Sequence, residues 1–204
     1  MLVAGLITTT TTVPPPVTVQ AYTESLCIDC KNFFEKQLVE SYQKLGSDVI
    51  DLSIVPFGNA ILDEKKQSII CQHGEAECDA NLWEQCAVEL NEPPVYFEFI
   101  GCLESSLAMG HRDEPFDESF FKDCADLAMI NFPELKKCHD NPFRSYLLQL
   151  KYAKLTPNHD HVPWVLINGK KFDENKQDLF EEICKEYEAG GGSNPACSSI
   201  VWED

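Results

Sequence analysis

The sequence predicts an α/β domain in which a disulfide-rich helical insertion separates two parts of a small sheet. Three observations carry this. Strand-like stretches lie near both ends, at 17–22, 49–58 and 162–172. Between roughly 59 and 157 the strand signal fades and helical spacing takes over. Six of the ten cysteines fall inside that middle block. A length of 204 residues suits one domain with a large insertion, and 44% apolar residues are enough for a substantial core.

In chain order, residues 1–16 read as a low-complexity leader, with "TTTTTVPPP" stiff and core-poor. "VTVQAY" (17–22) alternates as a first strand. Thr23 or Ser25 can cap the helix that follows, whose apolar face is Phe34, Leu38, Tyr42 and Leu45, with Gly46 ending it. "VIDLSIVPFG" (49–58) is a second strand closed by Pro56 and Gly58, and strand–helix–strand implies a parallel pair. In the insertion, "CDANLWEQCAVEL", "VYFEFIGCLESSL", "FFKDCADLAMI" and "FRSYLLQLKYAKL" are helical, the last with Phe143, Tyr146, Leu147, Leu150 and Ala153 on one face. "VPWVLINGKKF" (162–172) is a hairpin about Asn168-Gly169, because Asn-Gly suits the two-residue turn. "NKQDLFEEICKEYEA" is a final helix stopped by Gly190, Gly191 and Gly192. The main domain therefore spans 17–188, and 189–204 form a tail bearing Cys197.

Charge excludes one class of partner. With 34 Asp and Glu against 16 Lys and Arg, the net charge of −18 repels phosphate backbones, and no basic run offsets it, so nucleic acid is not expected. No stretch approaches the ~18–20 apolar residues of a membrane span. "MLVAGLI" falls short of the ~7–15-residue apolar core of an export signal, yet ten cysteines favour an oxidising compartment.

The chemistry centres on "LCIDCKNFF" (26–34), where Cys27 and Cys30 open a helix directly after a strand. The first sulfur of such a pair lies near unpaired backbone N–H groups, which favour thiolate. The second, one turn on, can attack a mixed disulfide formed by the first. Cys27 is thus the candidate nucleophile and Cys30 the resolving thiol. Asp29 lies between them, and at a separation of ~7 Å its charge would oppose the Cys27 thiolate by about 1–2 kcal/mol, less in acid. Strand, Cys-x-x-Cys helix and a late Val162-Pro163 before a hairpin resemble a thioredoxin-like fold. That resemblance implies a cis peptide before Pro163 facing the cysteines, with the Val162 backbone free to hold an extended substrate.

A second resemblance is narrower. "CQHGEAECDANLWEQC" (71–86) resembles the signature of the gamma-interferon-inducible lysosomal thiol reductase family, through Cys71, Gln72, His73, Gly74, Glu77, Cys78, Asn81 and Cys86. The similarity runs from about Val17 to Cys197. It implies a luminal reductase of disulfide-bonded proteins at low pH, lysosomal, endosomal or secreted, acting through Cys27 and Cys30 with Pro163 as the cis proline. The chain has no Asn-x-Ser/Thr sequon, so a glycan-borne lysosomal address is not expected.

Around this centre the other residues read as support. Cys71, Cys78, Cys86, Cys102, Cys124, Cys138, Cys184 and Cys197 are expected in structural disulfides, Cys184 pairing with Cys197 because the glycine-rich link lets the tail fold back. No metal site is expected, since the gaps among Cys71, Cys78 and Cys86 are wrong for zinc. His73 reads as a hydrogen-bonding residue and "NHDH" (158–161) as a solvated turn, whose His161 could favour the Cys27 thiolate when protonated. Trp164 suits either a substrate groove or the core. No bound cofactor is expected, and a small external thiol would recharge the pair. Two other readings stay open: a secretory-pathway oxidase or isomerase, and a secreted disulfide-scaffold binding protein without activity. The chain is expected as a monomer or a dimer disulfide-linked through Cys197.

Overall fold

A computed structural model of the chain describes residues 14–63 and 65–199. Most of the leader expected at 1–16 lies outside the described residues. Strand β1 (Val17–Thr23) pairs in parallel with β2 (Ile50–Pro56), Val19 opposite Leu52 and Tyr22 opposite Val55. On its other edge β1 runs antiparallel to β5 (Trp164–Ile167), which turns into β6 (Lys170–Phe172). The sheet order is therefore β2-β1-β5-β6, with β1, the strand that leads into the cysteine pair, inside. Asn168 and Gly169 both take positive φ, 47° and 75°, as a tight hairpin with right-handed strand twist requires.

The helix predicted after β1 is one continuous run in three segments: α1 (Ile28–Phe33), a π turn (Phe34–Leu38) and α2 (Val39–Leu45). Its expected face of Phe34, Leu38, Tyr42 and Leu45 is buried, and Phe97 stacks on Phe34 and lies tilted against Tyr42. Gly46 caps it at φ 67°. Neither Thr23 nor Ser25 caps α1, however. The N-cap is Cys27, with no side-chain cap at all, because Ser25 is drawn inward by Asn81 and Glu84.

The insertion is helical but not wholly so. A short antiparallel ribbon, β3 (Ile61–Asp63) with β4 (Ser68–Ile70), precedes α3 (Glu75–Leu90). Three-residue strands carry too little alternation to stand out in sequence. Then come α4 (Pro93–Ser106), α5 (Glu118–Leu127), α6 (Phe132–His139) and α7 (Pro142–Leu155). Helix α6 was not expected; eight residues between Asn131, its N-cap, and Asp140 give barely two turns of periodicity. The face expected for α7 is also corrected. Ser145, Leu148 and Tyr152 are buried, while Phe143 and Leu147 face out, because Tyr152 and Leu148 lie on the side packed against the core. Helix α8 (Leu179–Ala189) closes the fold, capped by Asp178 accepting from the Glu181 N–H. No helix of the described residues is long and apolar enough to cross a membrane.

Four disulfides join Cys71–Cys78, Cys86–Cys138, Cys102–Cys124 and Cys184–Cys197. The last leaves no Cys197 thiol for the covalent dimer considered from the sequence. Cys86–Cys138 spans 52 residues and ties α3 to α6 behind the stack of Trp83 on Phe121, Phe132 and His139. Loop-closure entropy for that separation is roughly 4 kcal/mol. Cys86→Ala with Cys138→Ala is therefore expected to lower the thermal midpoint sharply. A shift of only a degree or two would show the bridge to be redundant.

Candidate active site

Leu26, at φ 66° and fully buried, makes the sharp corner that turns β1 into α1. Its carbonyl accepts from the Gly110 N–H at 2.8 Å, which braces the corner. Cys27 follows as the N-cap and Cys30 lies one turn on; both are free thiols. They differ in environment. Cys27 is 7% exposed and Cys30 fully buried. The Cys27 pKa is lowered, first by the hydrogen bond from the Cys30 thiol and further by the backbone N–H groups of Cys30 and Asp29, against desolvation. The absence of a side-chain cap is what leaves those N–H groups to the sulfur. The Cys30 pKa is pushed well up by burial and by its neighbour Cys27. One sulfur is poised to ionise and the other holds its proton.

Val162 forms a small buried cluster with Cys27 and Cys30, and the Val162–Pro163 peptide is cis. Beside it opens a groove of about 460 Å³, bounded by Asp29, Phe33, Lys36, His161, Val162 and Pro163. The residues singled out in sequence thus converge on one place. His161 is the exception in role: its ring nitrogens meet Asp160 at 2.8 Å and Glu174 at 3.1 Å, so those carboxylates rather than Cys27 are its partners. Trp164, half-buried, sits under Lys171 and edge-on to His161 at the margin of this groove.

Sequence reasoning missed the buried carboxyls behind the pair. The acid whose charge bears on Cys27 is Glu24, fully buried at the end of β1, not the exposed Asp29, whose N–H supports the thiolate. Glu104 of α4 bears on Cys30. Burial raises Glu24 and Glu77 to about 7, Glu84 to about 8, and Glu104 well above the usual carboxylate range. Lys31, hydrogen-bonded to the Glu104 carbonyl at 3.0 Å, is the cation that tempers Glu104. The sequence signal was weak: Glu84 directly follows Trp83 in α3 and Glu104 follows Leu103 in α4, while Glu24 lies in the connection between β1 and α1.

Glu24 also explains Gly58. A Cβ there would lie 2.2 Å from the Glu24 Oε2, at a φ of +55°. Gly58→Ala is expected to cost about 2–3 kcal/mol, clash and left-handed backbone together. Gly46→Ala has the same backbone sense but nothing within 4 Å, and serves as the control. Equal losses of thermal midpoint in the two would refute the contact.

Comparison with known proteins agrees with this geometry. A sequence model described as "Gamma interferon inducible lysosomal thiol reductase (GILT)" matches residues 18–128. The chain is 34% identical over 193 residues to the gamma-interferon-inducible lysosomal thiol reductase of Carassius auratus, covering 89% of this chain and 71% of that one. It is 33% identical over 191 residues to the gamma-interferon-responsive lysosomal thiol protein of Arabidopsis thaliana, covering 90% and 76%. Among solved structures it is similar to reduced DsbA of Mycobacterium tuberculosis, with a TM-score of 0.65, 18% identity and coverage of 95% and 92%. Reduced DsbG from the same organism gives 0.66 at 18% identity, covering 95% and 87%. At such identity these two speak for the thioredoxin-like fold alone.

Proposed function

The chain belongs to the gamma-interferon-inducible lysosomal thiol reductase family, and from that premise we propose that it reduces protein disulfides in an acidic lumen by exchange through Cys27 and Cys30. The observation that carries the reading is the inequality of the two sulfurs, one with a lowered pKa and slightly exposed, the other with a raised pKa and fully buried. The Cys27 thiolate attacks one sulfur of a substrate disulfide, and the other substrate sulfur leaves as a thiolate and takes up a proton. The mixed disulfide removes the Cys27 charge. Cys30 then loses its proton and attacks the Cys27 sulfur, the second substrate thiolate departs, and a Cys27–Cys30 disulfide remains. Two equivalents of a small external thiol restore the dithiol and end as that thiol's own disulfide, so no bound cofactor is required.

Val162 and Pro163 are the substrate-positioning residues in this reading, with Asp29 and His161 lining the rim of the groove. Acid suits the buried half of the site. Glu104 faces Cys27, Glu84, Glu35 and Lys31, and its negative charge would oppose sulfur anions at the pair. Held neutral in acid, it withdraws that opposition. The expected result is turnover of a denatured disulfide-bonded protein, with a recycling thiol, that is faster at pH 4.5 than a neutral-pH dithiol would manage and exceeds this chain's own rate at pH 8. Negligible turnover at both values would sink the reductase reading.

A further inference from the structure

We propose that Glu24, His73 and Glu77 form a binding site for one divalent transition-metal ion of the zinc class, distinct from the cysteine pair. Their ligand atoms all lie within 4.8 Å of one another. His73 Nδ1 stands 2.9 Å from Glu77 Oε2 and 3.6 Å from Glu24 Oε1. Two donors held at about 2.0–2.2 Å from a tetrahedral zinc are roughly 3.4 Å apart, so the observed spacings bracket the required one.

Three further features favour a metal over a mere hydrogen-bonded knot. Both carboxylate side chains are fully buried, and among the described residues His73 is their common ion-pair partner, with no Lys or Arg. Buried carboxylates are ordinarily matched by a cation or a metal. The oxygens turned away from the centre are already fixed: Glu24 Oε2 accepts the Asn59 N–H at 2.7 Å, and Glu77 Oε1 accepts from Asn81 Nδ2 at 3.5 Å. Asn59 is itself held by His159 Nε2 at 3.0 Å. Such outer partners orient metal ligands. Finally, His73 and Glu77 sit within the loop closed by Cys71–Cys78, which holds their mutual geometry covalently, and the His73 side chain remains 17% exposed as a way in. One imidazole with two carboxylates suits zinc-class ions better than calcium, which takes 6–8 oxygens. A bound ion would clamp the segment carrying Cys27 to the start of α3.

The test uses the full chain with Cys27–Cys30 oxidised, so that no thiol competes. Titration with Zn²⁺ at pH 7.5 against a chromophoric chelator is expected to give one site per chain. His73→Gln and Glu77→Gln should each weaken it at least ~100-fold, and His111→Gln, an exposed histidine elsewhere, should leave it unchanged. Absence of a stoichiometric site, or one that survives both substitutions, overturns the proposal. Co²⁺ on the unmodified oxidised chain decides independently of variant folding. Weak visible bands without a sulfur charge-transfer band are expected. No bands, or a sulfur band, would overturn it.

Discussion

Cys27→Ser is expected to lower disulfide reduction by on the order of 10³-fold or more, because the hydroxyl that replaces the thiol does not ionise in the working range. Cys30→Ser should fail differently. The attack by Cys27 still proceeds, but no resolving sulfur follows, so the substrate stays attached as a mixed disulfide visible on a non-reducing gel. Serine at 30 also removes the thiol that is the largest support of the Cys27 anion, so the trapped species should form more slowly than the wild-type first step. Trapping by Cys27→Ser instead would reverse the assignment of roles. Equal activity in all three proteins would remove the pair from the chemistry altogether.

The second large effect is on stability. Glu84 and Glu104 are fully buried, each with one carboxyl oxygen lacking a hydrogen-bond partner among the described residues, and both have raised pKa values. The unfolded chain gives up these protons near pH 4.5, whereas Glu84 keeps its own in the fold until about pH 8. Between those values unfolding releases protons, so stability falls as pH rises. The contribution is complete below about pH 4.5 and is lost as pH climbs through the folded value, at about 1.4 kcal/mol per pH unit for each group. Self-repulsion of an acidic surface acts in the same direction. Thermal midpoints, taken with the cysteine pair oxidised and a chelator present, should be higher at pH 5 than at pH 8. Glu84→Gln, neutral throughout and still able to accept from Ser25, should flatten the dependence. A midpoint that rises toward pH 8 would contradict this account.

Sequence made the sheet and the cysteine pair legible because both are local. β-branched alternation marked β1, β2 and the Asn168-Gly169 hairpin, and the Cys-x-x-Cys spacing marked the start of α1. What stayed hidden depends on long-range packing. The ribbon β3–β4 has three residues in each strand, too few for a period. The outward turn of Phe143 and Leu147 in α7 is decided by the neighbours of Leu148 and Tyr152 rather than by hydrophobicity. In the site, Cys27 and Cys30 could be named from their spacing, and Val162 and Pro163 from the resemblance to a thioredoxin-like fold. Glu24, Glu84 and Glu104 could not, because even an apolar neighbour such as Trp83 or Leu103 does not decide whether water reaches an acid. Ser25 shows the same limit: a good capping residue by type, it is turned inward by Asn81 and Glu84, which lie 56 and 59 positions away.

The central claim is that two sulfurs work and eight hold the fold. The most direct test equilibrates the native chain in graded thiol–disulfide buffers, blocks free thiols and locates them by peptide mass spectrometry. The account predicts that Cys27 and Cys30 open and close together, while the Cys71–Cys78, Cys86–Cys138, Cys102–Cys124 and Cys184–Cys197 bridges stay closed across the same range. A Cys27–Cys30 bridge that resists reduction as firmly as the other four would contradict it and leave the chain a scaffold.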